Sequence, residues 1–277
     1  MADFIFNKPR EVGEILTDTF QYIRLHYKSL GKALFFFAIP LYILQVALIS
    51  GTSIDIIQIL NNPEDTAAIE SIFTGKYFLS IIVSILATCV LSAVTLKHVQ
   101  LTSTNQEVDS NILSNNLVAN TLNFLGLYLI IGLTVFFSMF AFMIPAIFIG
   151  IHWSLAPAAL QIEEQGVLNA LRRSWDLIKG YWWITFALFV VMYLITVFST
   201  YILIIPTTII SLLIAESGAS SGGGFIPSLY TIIISFATII SSLLYAIMHI
   251  AFSLHYFNIK ERKEGGSLRS KIEQLSL

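Results

Sequence analysis

Histidines are the residues of this chain whose type and position could support chemistry inside long stretches that hold no Asp, Glu, Lys or Arg. His152 and His249 lie within such stretches, and His255 lies near the end of the last one. An ionisable side chain in an apolar segment is a candidate for a proton relay or a metal site. His249 and His255 do not share a helix face, so a metal site would need ligands from other helices. We favour hydrogen-bonded packing for each histidine.

Four polar residues are best placed to converge if the apolar stretches enclose a polar site: Gln45, His152, Tyr193 and His249. None of the histidines has a carboxylate partner within the same stretches. A proton-coupled transporter is expected to bury an Asp, Glu, Lys or Arg, so the sequence argues against ion-coupled transport. We therefore expect a packed interior, and convergence of these four residues on a hydrated pocket would contradict it.

Motifs of catalysis and metal binding are absent from the sequence. It contains no His-Glu-x-x-His, and its single cysteine, Cys89, is expected to pack as a small hydrophobe. Glu163 and Glu164 precede a predicted helix over 166–179, where acidic residues offset the dipole of the helix N-terminus. We expect no catalytic residue, no metal and no cofactor, and a protein that is not an enzyme.

All four tryptophans lie between residues 153 and 183, and three of them flank a group of cations. Indole rings prefer the headgroup zone of a bilayer, and cations attract anionic lipid by about 1 kcal/mol each. This pattern predicts a lipid anchor at the membrane interface, with a specific lipid or partner groove as the alternative. The residues are Arg172, Arg173, Trp175, Lys179, Trp182 and Trp183.

The elements that carry these residues are long apolar helices. The chain has 277 residues, of which 56% are hydrophobic, and its mean hydropathy is +0.79. Stretches of about 20 apolar residues can cross a hydrocarbon core as helices. We expect one all-α integral membrane domain over 1–277 with six transmembrane helices in three hairpins and a cytoplasmic tail at 258–277. The predicted spans are 31–49, 77–96, 122–144, 146–162, 181–205 and 228–257.

The distribution of Lys and Arg predicts the orientation of these spans. Of the 15 cations, only Lys76 falls on the side opposite to the N-terminus. Cytoplasmic loops of membrane proteins carry the excess of Lys and Arg. We therefore expect both termini and the 163–180 segment to be cytoplasmic.

Amphipathic segments precede the first, third and fifth predicted spans. The first is an in-plane helix at 9–28, with apolar residues such as Ile15 and Ile23 on one stripe. Each predicted hairpin would then begin with an in-plane helix, and a true internal triplication remains an open alternative.

Prolines add a further expectation, namely that Pro40 and Pro157 kink a span while Pro145 and Pro206 lie at turns or helix ends.

Several short motifs resemble those of a broad bacterial family of six-helix membrane proteins. These are Trp153-Ser-Leu-Ala-Pro157, Glu163-Glu164-Gln-Gly166, Ala170-Leu-Arg-Arg-Ser-Trp175 and Lys179-Gly180-Tyr-Trp-Trp183, together with an opening Glu11-Val-Gly-Glu-Ile-Leu16. The family is similar to the membrane domain fused to some bacterial glycerophosphodiester phosphodiesterases. The resemblance implies a six-helix membrane protein. It carries over no phosphodiesterase residues, because only about 20 residues follow the last predicted span.

Together these observations predict a non-enzymatic subunit or scaffold of a membrane protein complex in the bacterial inner membrane. The expected partners are membrane lipids, including anionic ones, and other membrane proteins, with no nucleic acid. The competing class is a lipid-handling or small-molecule transport protein with a cavity between the hairpins.

Overall fold

A computed structural model describes residues 4–49, 74–141, 143–216 and 225–265. Within these ranges the secondary structure is helical and contains no strand. The helices are α1 (Val12–Phe37), α2 (Ile39–Ile49), α3 (Gly75–Ser103), α4 (Ser110–Ser114), α5 (Leu117–Ala141), α6 (Met143–His152), α7 (Ala156–Ile162), α8 (Val167–Ile178), α9 (Trp182–Glu216), α10 (Phe225–Leu243) and α11 (Tyr245–Glu264). The predicted all-α fold is confirmed. The predicted tail is described only as far as residue 265.

Five helical stretches among the described residues are long and apolar enough to cross a membrane. The bent pair of α1 and α2 makes a sixth if it counts as one span. Their composition fits a multi-pass membrane protein, as the charge-free stretches predict. The five are Gly75–Ser103, Leu117–Phe140, Met143–Ile162, Trp182–Ile210 and Leu229–Glu264.

Helix α1 differs from its predicted boundaries. It continues without a break from Val12 to Phe37, through the predicted end of the in-plane helix at residue 28. The interruption comes at Ala38, where α1 and α2 meet with a bend of 46°. Pro40 explains this position, since it has no N–H for the carbonyl of Phe36 and its ring clashes with that carbonyl. The predicted effect of Pro40 is therefore confirmed, but the helix boundary moves to Ala38.

Pro206 was expected at a turn or a helix end, and this is wrong, because it lies inside α9. In the hydrocarbon core of a membrane, a helix gains nothing by ending at a proline, since the freed backbone groups would stay unpaired. The hydroxyls of Thr207 and Thr208 donate to the carbonyl of Ile204 at 2.7 and 3.0 Å, which adds hydrogen bonds in the same turn. Pro157, by contrast, lies in the first turn of the short helix α7, shortly after the break that separates α6 from α7.

The chain divides into two compact units. The first comprises Met1–Leu34, Cys89–Leu194 and Ala246–Leu277, in which α8 packs against α5, α6 and α7. Its core includes one face of α8, formed by Ala170, Leu171, Ser174, Leu177 and Ile178. This unit holds the candidate site.

The second unit comprises Phe35–Thr88 and Ile195–Tyr245, in which α2 packs against α10. Between these two helices lies an apolar groove of about 590 Å³. Its lining includes Phe35, Ile39, Ile43, Phe236 and Ile240.

Candidate functional site

Arg10 anchors the segment that precedes α1. Its side chain is 0% exposed, and its Nε donates to Asp18 Oδ2 at 2.7 Å. Its Nη1 donates to the carbonyl of Phe6 at 2.6 Å, and its Nη2 donates to the carbonyl of Ile5. Burial lowers the pKa of Arg10, and the hydrogen bond and charge of Asp18 oppose that shift. The guanidinium therefore holds the N-terminal segment around itself, while the partly exposed Lys8 adds a second ion pair to Asp18 at 2.8 Å.

The same segment is tied to the end of α11. The backbone N–H of Arg10 donates to Asn258 Oδ1 at 2.7 Å, and Arg262 Nη2 donates to the carbonyl of Arg10 at 2.8 Å. Arg262 Nε also donates to Asn258 Oδ1, at 2.9 Å. The rings of Phe6 and Phe257 meet edge to face, with centroids 5.3 Å apart. We call these contacts the N-terminal clamp.

Glu163, at the C-terminal end of α7, is the centre of a second network. Its carboxylate pairs with Arg173 Nη2 of α8 at 2.9 Å and with Lys260 Nζ of α11 at 3.1 Å, and it accepts the hydroxyl of Tyr256. Arg173 also pairs with Glu264 at 2.5 Å. The network therefore joins α7, α8 and α11.

The charges in this network shift one another's titration. Burial alone would raise the pKa of the Glu163 carboxyl, but hydrogen bonds from Tyr256 and Lys260 and the charges of Lys260 and Arg173 hold it below its usual 4.5. Burial would likewise lower the pKa of Arg173, but Glu264 and Glu163 raise it above the usual value. Both groups are thus held in their charged forms.

A polar pocket of about 280 Å³ opens beside this network. One wall is a chain of hydrogen bonds in which Gln161 Nε2 donates to Gln100 Oε1 at 2.9 Å and Gln100 Nε2 donates to Glu164 Oε1 at 2.8 Å. Lys97 Nζ lies 3.4 Å from the same Glu164 oxygen. The hydrogen bond from Gln100 and the charge of Lys97 lower the pKa of Glu164.

Three histidines, of which His98 and His255 are buried and His249 is partly exposed, each hold two helical segments together. His249 of α11 meets Ser92 of α3, with Nε2 and Oγ 2.9 Å apart, and Tyr128 of α5 donates to the same Ser92 oxygen at 2.8 Å. His255 Nε2 lies 2.9 Å from Thr185 Oγ1 of α9. The third is His98 of α3, whose ring lies between two hydroxyls of α1.

Ser29, His98 and Tyr22 are arranged in the same order as the nucleophile, the base and the orienting group of a catalytic triad. Its Nε2 is 2.9 Å from Ser29 Oγ, and its Nδ1 is 2.6 Å from the hydroxyl of Tyr22. The Ser29 hydroxyl, however, donates to the carbonyl of His26 in its own helix at 3.1 Å. Its single proton is then used, so Nε2–H of His98 donates to Ser29. The Tyr22 hydroxyl also lies 3.3 Å from Thr102 Oγ1, but its 2.6 Å contact with Nδ1 is shorter, so we assign the tautomer in which Tyr22 donates to Nδ1. In this arrangement His98 is a tie between helices and does not act as a base toward Ser29.

Comparison with known proteins gives one match. A family described as a domain of unknown function, DUF8558, matches residues 110–269, which is more than half of the chain. The chain belongs to this family. No curated protein and no solved structure matches it. The description of the family states no function, so the resemblance to the membrane domain of glycerophosphodiester phosphodiesterases stays a prediction.

The DUF8558 region contains every member of the Glu163 network, including Glu264. Lys97, Arg10 and Asp18 lie N-terminal to it. The Glu163 network is therefore a property of the matched region, whereas the N-terminal clamp joins the end of that region to residues outside it.

The four polar residues predicted as an intramembrane site have separate surroundings. His249 lines a mainly apolar cavity of about 190 Å³ in the first unit. His152 stacks on Trp175, with centroids 4.2 Å apart, and its Nδ1 lies 2.9 Å from the carbonyl of Phe148. Tyr193 is exposed and stacks on Phe189, and Gln45 belongs to the second unit. Of the four, the residue that lines this cavity is His249.

The six residues predicted as a lipid anchor divide into two groups. Arg173 is engaged with Glu163 and Glu264, and Trp175 and Trp182 stack on neighbouring rings. Exposed to the surroundings are Arg172, Lys179 and Trp183. The lipid anchor stays a prediction, and these three residues are the exposed ones among the six.

Sequence reasoning missed the partners of Glu163, Arg10 and His98. A signal was present, because Lys97, Glu163 and Lys260 all lie at the first charged position after a long apolar stretch. If successive spans cross in opposite directions, such positions can meet at one end of the helices. Residues of this kind at the same end are candidates for ion pairs.

Proposed function

We propose that this protein is a non-enzymatic subunit or scaffold of a membrane protein complex in the bacterial inner membrane. The observation that carries this proposal is that one face of α5 leaves large apolar side chains exposed. One side of this helix is buried in the first unit through Phe124 and Leu127, while another side leaves large apolar residues exposed. The exposed row follows helical spacing and consists of Leu129, Leu133, Phe136, Phe137 and Phe140.

The composition of that row favours a protein partner. Phenylalanine and methionine are enriched at protein interfaces, and Met139 and Met143 lie beside the phenylalanines with most of their surface exposed. Helices in a membrane associate by close packing of their side chains, because lipid tails are as apolar as leucine. The histidine ties and the Glu163 network support the same function, since they hold the first unit together without using this face.

We expect a photoreactive residue in place of Phe137 to give one discrete protein adduct in living cells. Phe198 of α9 is the matched control, because both phenylalanines are 65% exposed on apolar helices. Adduct mass on a gel and its identification by mass spectrometry are the measurements. The triple replacement Phe136→Ala, Phe137→Ala and Phe140→Ala should also reduce recovery of the partner in mild detergent. Lipid adducts alone at both positions would overturn the proposal.

We further propose that both termini and the 163–180 segment are cytoplasmic, with six spans in three hairpins and amphipathic helices in the interface. Contacts support a common side for the charged segments, since Arg10 meets Asn258, Lys97 meets Glu164 and Lys260 meets Glu163. Segments in direct contact at helix ends share one side of a membrane, and the excess of Lys and Arg makes that side cytoplasmic.

Reporter fusions test this orientation. Fusions after Gly51, Lys97, Glu216 and Lys260 should report outside, inside, outside and inside in that order. Paired reporters, one active in the periplasm and one active in the cytoplasm, give a positive signal for each location. Inversion of the pattern, or two neighbouring fusions on the same side, would refute the topology.

Lipid handling is the second candidate function, and the groove of the second unit favours it. The groove is lined almost entirely by apolar side chains of α2 and α10, and its volume of about 590 Å³ falls in the usual range of ligand sites, roughly 300–1,000 Å³. A bound acyl chain would be seen as a lipid that survives purification in native mass spectrometry. Replacement of Ile43 and Phe236 by tryptophan should remove that lipid if the groove holds it.

A further inference from the structure

The polar pocket of the first unit is lined mainly by side-chain amides. Its walls come from the end of α3 and the loop after it, from α4 to α5, and from the end of α7 and its connection to α8. The volume of about 280 Å³ lies just below the usual range of ligand sites, roughly 300–1,000 Å³, and fits one ring-sized group. The amide residues that the following argument uses are Gln106, Asn115, Asn116, Asn120 and Asn123.

Four of these five amide side chains are exposed and that of Asn120 is partly exposed. Among the described residues, none of the five side chains makes a hydrogen bond to another residue. Gln161 and Glu164 instead bond within the wall through Gln100, and Lys97 pairs directly with Glu164. The charges of Lys97 and Glu164 therefore balance each other, and the other polar side chains that could meet a ligand are uncharged.

Backbone strain marks the same pocket. Asn116 has φ 58° and Glu164 has φ 49°, and both line it. Asparagine tolerates the left-handed region, but glutamate there is uncommon. Strained backbone persists where the surrounding structure fixes it, often at binding sites. In Glu164 the strained conformation accompanies the contacts of its carboxylate with Gln100 and Lys97.

The chemistry of the lining identifies the ligand class. Each amide offers two N–H donors and a carbonyl acceptor, and a hydroxyl both donates and accepts, so a cluster of amides matches a cluster of hydroxyls. A phosphate would require unpaired cations, and Lys97 is already paired with Glu164. Leu101, Phe124 and Leu160 also line the pocket but are at most 4% exposed, so polar side chains form most of the surface that a ligand would meet. We propose that this pocket binds one uncharged sugar ring, supplied as free sugar or as the headgroup of a glycolipid, a role beyond the scaffold function.

The test uses the full-length protein in phosphatidylcholine nanodiscs, since common detergents carry sugar headgroups themselves. Binding of methyl glucoside is followed by saturation-transfer NMR, and binding of the headgroup is followed in discs that contain glucosyl diacylglycerol. Inorganic phosphate is added as a competitor. We expect a sugar signal in at least one arm, with no displacement by phosphate, and the arm that responds distinguishes a free sugar from a lipid source.

The double variant Asn120→Leu with Asn123→Leu should weaken binding about tenfold, because two hydrogen-bonding groups are lost. Asn169→Leu is the matched control, since Asn169 is an exposed asparagine of α8 that is not part of the lining. Its binding should match that of the unmodified protein. Absence of a signal in both arms, equal binding by the two variants, or displacement by phosphate would overturn the proposal. None of these outcomes bears on the crosslinking at Phe137.

Discussion

Replacement of Arg10 by methionine is expected to destabilise the protein by about 3–5 kcal/mol, the loss that follows removal of one partner of a buried ion pair. Methionine keeps much of the apolar stem, but Asp18 would lose its 2.7 Å partner and the carbonyls of Ile5 and Phe6 would lose their donors. The measurement is the midpoint of thermal unfolding in mild detergent, which should fall by about 10 °C. Replacement by lysine should recover little, because an ammonium group cannot bond in several directions with the same fork geometry.

Lys8→Ala is the matched control. Lys8 pairs with the same carboxylate oxygen of Asp18, but its side chain is 42% exposed, whereas that of Arg10 is 0% exposed. Exposed ion pairs contribute about 0–1 kcal/mol, so the control should lower the midpoint only slightly. Equal effects of the two variants would mean that the charge of Asp18 matters and the enclosed hydrogen-bond geometry of the Arg10 guanidinium does not.

Most of the helical architecture could be predicted from composition, because a long stretch without charge has few alternatives to an apolar helix. Helix ends were harder to predict. The cations Lys28 and Lys32 indicate an interface, yet both lie on the exposed side of α1 and do not interrupt it. A long charged side chain can extend away from a helix without ending it. Pro206 shows the same limit, since an apolar environment favours a continuous helix over an unpaired backbone.

The candidate site was less accessible to sequence reasoning, because its partners are far apart in the chain. Arg10 and Asn258 are separated by 248 residues, and Glu163 and Lys260 by 97. Spacing identifies contacts within one helix, but it contains no information on which helices are neighbours. His249 illustrates the consequence, since it was grouped with polar residues of similar depth and instead bonds to Ser92 of the adjacent α3. The partner of His249 is a serine hydroxyl, and serine is too common in this chain for Ser92 to stand out.

Glu163→Gln is expected to lower the free energy of unfolding by about 2 kcal/mol at neutral pH, as for loss of hydrogen bonds to a charged group. Glutamine keeps the shape and an acceptor for Tyr256, but Arg173 and Lys260 lose their counter-charge. The Glu163 side chain is 20% exposed, so water screens the remaining cations only in part. Glu164→Gln is the control, because the Glu164 side chain is 66% exposed and its loss should have an effect below about 1 kcal/mol.

The pH dependence of this difference distinguishes an ion pair from a packing effect. The pKa of folded Glu163 lies below 4.5, the usual value that applies to the unfolded chain. A carboxyl with a depressed pKa contributes stability that is fully present above the unfolded pKa and is lost as pH falls through the folded pKa. The gap between the unmodified protein and Glu163→Gln should therefore be constant above about pH 5 and should close at lower pH. A gap of the same size at every pH would mean that the glutamine disturbs packing, and that the charge of Glu163 does not hold α7, α8 and α11 together.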